Sequence, residues 1–188
     1  MESRKTKFIL HGGGSAGKID EDNTDFYKEI LKDTPESAKV LLVPFAKDTE
    51  RIPLAIERVT VEFNKNRESK NLTIETATED NLIAQIRSAD VVYFHGGTSL
   101  KLLEVLKKYP DLREAIKGKV VAGESAGANV FCTYFYSPNA DGVFEGLGFL
   151  PLKSIPHYRE EYKDKLNNVG LNLESLLLKE YEFKVFVI

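Results

Sequence analysis

KVVAGESAGANV, residues 119–130, is the stretch on which the fold turns. It joins a short β-branched run to a run of small residues through Gly123-Glu124-Ser125-Ala126-Gly127, a complete G-x-S-x-G. That spacing has a steric meaning. A serine on a sharp strand-to-helix turn forces the residues two positions either side into contact, so glycines are needed there. KVVA therefore reads as a strand and AGANVFCTYFY as an apolar helix, whose first N–H groups face the site where an oxyanion would form. Small residues also suit close strand–helix packing, so the motif alone leaves a structural reading beside the catalytic one.

The same alternation extends outward from this turn. KFILHG, AKVLLVPFA (stopped by Pro44), LTIETA and DVVYFHGG are compact apolar or alternating runs that predict strands. Between them, TDFYKEILKD, RIPLAIERVTVEFNKNR, EDNLIAQIRSAD and TSLKLLEVLKKYP carry apolar residues at helical spacing, with Ile52, Ile56, Val59 and Phe63 on one stripe. Strands separated by helices predict an α/β fold: a doubly wound, mostly parallel sheet with helices on both faces, in one domain spanning residues 1–188. SPNADGVFEGLG reads as a long surface loop, and YEFKVFVI as a terminal strand at a sheet edge, where a second copy of the chain has a place to pair.

Ligands of such sheets bind beyond the carboxyl ends of the strands. Three segments fall there: HGGGSAG after the first strand, HGGTS after the fourth and GESAG after the fifth. The first imitates a phosphate loop, since Gly12–Lys18 satisfies G-x-x-x-x-G-K. Ile19 stands where a metal-binding Ser or Thr is required, and Asp20, Glu21 and Asp22 follow where a phosphate needs bare N–H groups. It reads better as a glycine turn rimming the crevice.

A nucleophilic serine needs a base, and the chain has three histidines. His11 and His95 lie at strand ends beside glycines, where structural and substrate-contacting roles compete. His157 follows Pro156 and comes after Ser125, the chain order seen in α/β-hydrolase-type sites. The single cysteine, Cys132, lies seven residues beyond Ser125 in the expected helix and excludes any intramolecular disulfide.

GESAGANV, YFHGGTSLKLL and GLGFLPLKSIPHY, in this order and supported by FILHGGG and LLVPFA, resemble the serine-peptidase family that contains aspartyl dipeptidase (peptidase E) and cyanophycinase. The resemblance runs from about residue 8 to about residue 188. It implies a class I glutamine amidotransferase-like fold with serine in place of the cysteine nucleophile. Ser125 then matches the nucleophile and His157 the general base. Gly97 and Ala126 match the oxyanion-hole N–H donors, and the site needs no metal or organic cofactor. The family's third member is an acid between serine and histidine. Asp141 is the expected partner of His157, with Glu145, Asn139, a backbone carbonyl or no partner at all as alternatives. Gly96 and Arg159 are the expected substrate contacts, although an exposed helix arginine is the commoner explanation for Arg159.

The expected activity is hydrolysis of small peptides by a peptidase E-like dipeptidase. The alternatives are an amidotransferase-like or non-catalytic small-molecule-binding domain on the same fold. A formal net charge of −3 gives no global basic footprint for nucleic acid or an anionic membrane. The N-terminal MESRKTKFILHGGG has too short an apolar run for a signal core or a membrane span. A cytoplasmic location is the corresponding expectation.

Overall fold

The computed structural model describes residues 5–14 and 23–188. Among them, six strands form the main sheet: β1 (Lys7–His11), β2 (Ser37–Val43), β3 (Asn71–Thr76), β4 (Val91–Phe94), β5 (Val120–Glu124) and β10 (Phe183–Val187), in the order β10-β1-β5-β4-β2-β3. All neighbours are parallel except β10, which runs antiparallel to β1 along the sheet edge.

The alternation of side chains along each strand divides the core into two layers. Phe8, Leu10, Leu41, Val92, Phe94 and Val121 face one side. There they meet α3 (Leu82–Ser88), α4 (Ser99–Leu106), α5 (Leu112–Ala115) and α6 (Ala126–Phe131). Ile9, Val40, Leu42, Tyr93 and Ala122 face the other side, covered by α1 (Thr24–Leu31) and α2 (Ile52–Asn66). Each fully buried Val, Leu, Ile or Phe among them contributes roughly 1.5–3 kcal/mol. The result is a doubly wound α/β fold of the class I glutamine amidotransferase type. Among the described residues no helix is long and apolar enough to cross a membrane.

Two expectations are corrected after Ser125. The helix ends at Phe131, and Cys132–Ser137 is a strand, β6. Its Thr-Tyr-Phe-Tyr run is β-branched and aromatic, and tertiary pairing overrides a helical continuation. The expected surface loop contains β7 (Gly142–Glu145), which folds back on β6 as a hairpin. With β8 (Leu150–Pro156) and β9 (Glu174–Leu178) these strands form a second sheet, order β7-β6-β8-β9. Phe135, Leu150, Leu152, Leu176 and Leu178 pack it against the core layer that holds α6. This second sheet carries the rest of the site.

Candidate active site

Ser125 sits at the β5–α6 turn with φ 49° and ψ −101°, backbone angles an L-residue rarely adopts. The turn is held by Ser125 N–H donating to His11 O (2.9 Å) and by Ala128 and Asn129 N–H donating to Ser125 O (both 3.0 Å). Both flanking glycines are sterically required. A Cβ on Gly123 would lie 2.5 Å from Gly127 O, and one on Gly127 would lie 2.3 Å from Phe94 O.

His157 leaves the end of β8 and crosses to the end of β1. Its N–H donates to Gly12 O (2.8 Å), and its ring lies directly over Gly13. Nε2 is 3.1 Å from Ser125 Oγ, and Nδ1 is 3.0 Å from Glu180 Oε1. A carboxylate only accepts, so Nδ1–H donates to Glu180 and Nε2 accepts from the serine hydroxyl. Glu180 belongs to the turn between β9 and β10, and this turn is tied to the glycine run by Tyr181 N–H donating to Gly13 O (3.0 Å). His157 (φ 51°) and Tyr181 (φ 68°) share the left-handed backbone of Ser125, so unusual conformations cluster around the site.

The acid expected beside His157 is therefore corrected. Asp141 lies in the β6–β7 turn, where its Oδ1 accepts from the Tyr136 hydroxyl (2.7 Å) and Lys165 Nζ (3.0 Å). Those two contacts, Tyr136 first, hold its carboxyl below the usual range. Glu145 is on β7, opposite Tyr134. Asn139 lines the crevice and makes no hydrogen bond to His157. Glu180→Gln is thus expected to lower kcat by about 10²-fold, less than the ~10⁴-fold seen for a buried orienting carboxylate. The discount follows from Glu180's 56% side-chain exposure, which lets water compete for the imidazolium. Asp141→Asn is expected to change kcat by less than about twofold; steady-state kinetics of the pair checks both, because the two sites share no partner.

The other two histidines do not reach Ser125. His11 is fully buried at the end of β1 and accepts from Gly13 N–H through Nδ1 (3.1 Å). His95 is 1% exposed at the end of β4. Desolvation lowers both to about 4, partly offset by the Glu124 carboxylate. Both are neutral in the folded chain near pH 7, whereas the unfolded chain takes up their protons below about pH 6.5. Stability is therefore full above about pH 6.5 and falls by a few kcal/mol as pH drops toward 4. Urea midpoints at about pH 7 and about pH 5 check this, and equal midpoints would contradict it.

Gly97 has φ 150°, and a Cβ there would lie 2.3 Å from Ala46 O. The N–H groups of Gly97 and Ala126 have no acceptor among the described residues. Gly96 N–H, by contrast, donates to Glu124 Oε2 (3.4 Å). The crevice has a volume of about 390 Å³ and is lined by Ser125, His157, Gly97, Ser137, Asn139 and Arg159. Arg159, 70% exposed, lies at its rim, 3.9 Å from Glu161. Cys132 is buried, with its thiol pushed up to about 12 by desolvation, and offers no nucleophile.

In the glycine-rich opening, Gly12 and Gly13 have a structural task instead of a phosphate. A Cβ on Gly12 would lie 2.0 Å from Lys179 O, and one on Gly13 would lie 2.1 Å from His157 Cε1. The remainder of the imitation phosphate loop, Ser15–Asp22, lies outside the described residues.

Comparison with known proteins adds three findings. The model of peptidase family S51 matches residues 8–178. A solved structure from Listeria monocytogenes EGD-e, provisionally called a peptidase E protein, superposes with a TM-score of 0.65 at 18% identity, covering 98% of each chain. A peptidase from an acI-B1 actinobacterium superposes with a TM-score of 0.67 at 22% identity, covering 99% of this chain and 88% of that one. At these identities the two likenesses speak for the fold. No curated protein matches the chain in sequence.

Proposed function

The chain belongs to peptidase family S51 and is a serine-type peptidase, and on that premise we propose that it hydrolyses small peptides in the manner of a dipeptidase, through Ser125, His157 and Glu180. The observation that carries this reading is the continuous chain of contacts from Ser125 Oγ through His157 to Glu180, at 3.1 and 3.0 Å.

Ser125 Oγ attacks the scissile carbonyl while His157 Nε2 takes its proton. Glu180 keeps the imidazole in the tautomer with a free Nε2 lone pair and stabilises the imidazolium that forms. The negative oxygen of the tetrahedral intermediate is received by the N–H groups of Gly97 and Ala126, which have nothing else to bond among the described residues. Collapse of the intermediate expels the amine, which leaves with the proton from His157. Water then repeats the sequence on the acyl-enzyme and regenerates Ser125. A crevice of about 390 Å³ suits a substrate of a few residues.

The test is a panel of dipeptides with Asp, Glu and neutral N-terminal residues, set against longer peptides and an unfolded protein. Cleavage concentrated on the shortest members is expected. Equal or better cleavage of the unfolded protein would overturn the small-peptide reading.

A further inference from the structure

The crevice continues past Ser125. Gly97 and Asn139 line both it and a second depression, of about 470 Å³, on the side of α2. Among the described residues, three cations line this second space: Lys47, Arg51 and Arg58. Arg51 immediately precedes α2 and Arg58 lies seven residues on, about two turns, so both side chains project from one stripe of the helix. None of the three pairs with a carboxylate among the described residues.

Among the described residues, the two acids that line the same space have partners. Asp48 is 3.7 Å from Lys101, and Glu124 Oε2 accepts from the Tyr93 hydroxyl (3.2 Å) and Gly96 N–H (3.4 Å). His95 also lines the depression, and its Nε2, shut off from solvent, has no hydrogen-bond partner among the described residues. Three cations with no carboxylate partner among the described residues fit an anionic ligand. Glu124 on the same lining opposes a dianion such as phosphate by like-charge repulsion.

We propose that this depression is the subsite for the free C-terminal α-carboxylate of a short peptide substrate, gripped by Arg51 and Arg58. The inference rests on the reading of Ser125 as the nucleophile of a small-peptide hydrolase. Gly97 links the two spaces: a peptide whose carbonyl oxygen meets the Gly97 N–H extends its neighbouring residue into the depression, where the planar guanidinium forks match a carboxylate. The subsite makes the enzyme select peptides that end close to the scissile bond and discriminate against longer chains and blocked C-termini.

The test compares wild type with the Arg51→Gln/Arg58→Gln double variant on the best-cleaved dipeptide and on its C-terminal amide. Wild type is expected to favour the free acid by about tenfold or more in kcat/KM, mainly through KM, the usual worth of a charge-assisted contact. In the double variant that preference collapses, because the acid loses far more than the amide does. A parallel measurement removes the chemistry: calorimetric binding of alanyl-leucine and alanyl-leucinamide to Ser125→Ala, with and without the two arginine substitutions. Equal handling of acid and amide by the unsubstituted depression, or a double variant that weakens both alike, overturns the subsite while fluorophosphonate labelling of Ser125 persists. Preference for an acidic side chain in place of the terminal carboxylate overturns it too. Retained acid-over-amide binding without labelling would sink the peptidase chemistry instead and leave the subsite standing.

Discussion

Ser125→Ala is expected to lower kcat for dipeptide hydrolysis by on the order of 10⁴–10⁶-fold, with the fold unchanged. The hydroxyl is the atom that attacks, and its contact is the imidazole of His157 rather than any structural group. Alanine keeps the Cβ, so the φ 49° turn is no more strained than with serine. The same holds for His157→Ala, and because the two residues act as one unit the double variant should be no slower than either single variant. Circular dichroism and thermal unfolding of the variant check that the fold is kept, and active-site titration of the wild type normalises kcat. A residual rate within about tenfold of wild type would mean that another group does the chemistry.

Gly13→Ala is expected to cost about 10²-fold or more in kcat/KM although Gly13 does not line the crevice. A Cβ there falls 2.1 Å from His157 Cε1 and 2.4 Å from Nε2, so the ring must leave its line between Ser125 and Glu180. Gly13 also has φ 122°, where an L-residue is strained, and strain alone would lower stability without aiming at the site. Gly148→Ala separates the two causes. Gly148 has φ 63° in a segment away from the crevice, and a Cβ there meets nothing within 4 Å. That variant should lose about 1 kcal/mol of stability and keep its activity. Equal losses of activity in both variants would mean that backbone strain, not displacement of His157, is at work.

Local patterns carried the sheet, the helices on both faces and the Ser125 turn, because period-2 and period-3.6 alternation and the demand for glycines are written within a few residues of each position. His157 was legible through a motif resemblance. Glu180 was not, because its place depends on a pairing across almost the whole chain. β10 must run antiparallel to β1 before the β9–β10 turn comes to lie beside Gly13 and the His157 ring. Nothing near residue 180 announces that. Asp141, the acid within the expected interval, is claimed locally by Tyr136 and Lys165. The overrun of the helix past Phe131 has a similar origin. Cys132–Ser137 follows an apolar helical start without a break, and only its pairing with β7 and β8 reveals a strand. The glycines of the opening HGGG were legible as a turn. The reason Gly13 must be glycine, the space taken by His157, lies 144 positions further along the chain.

The reactivity of Ser125 itself is the central claim, and fluorophosphonate labelling followed by mass mapping tests it without any assumption about substrate. One adduct per chain is expected, on the peptide containing Ser125, lost in His157→Ala and slowed in Glu180→Gln. An adduct on another residue, or labelling of Ser125 that is indifferent to His157, would contradict the account.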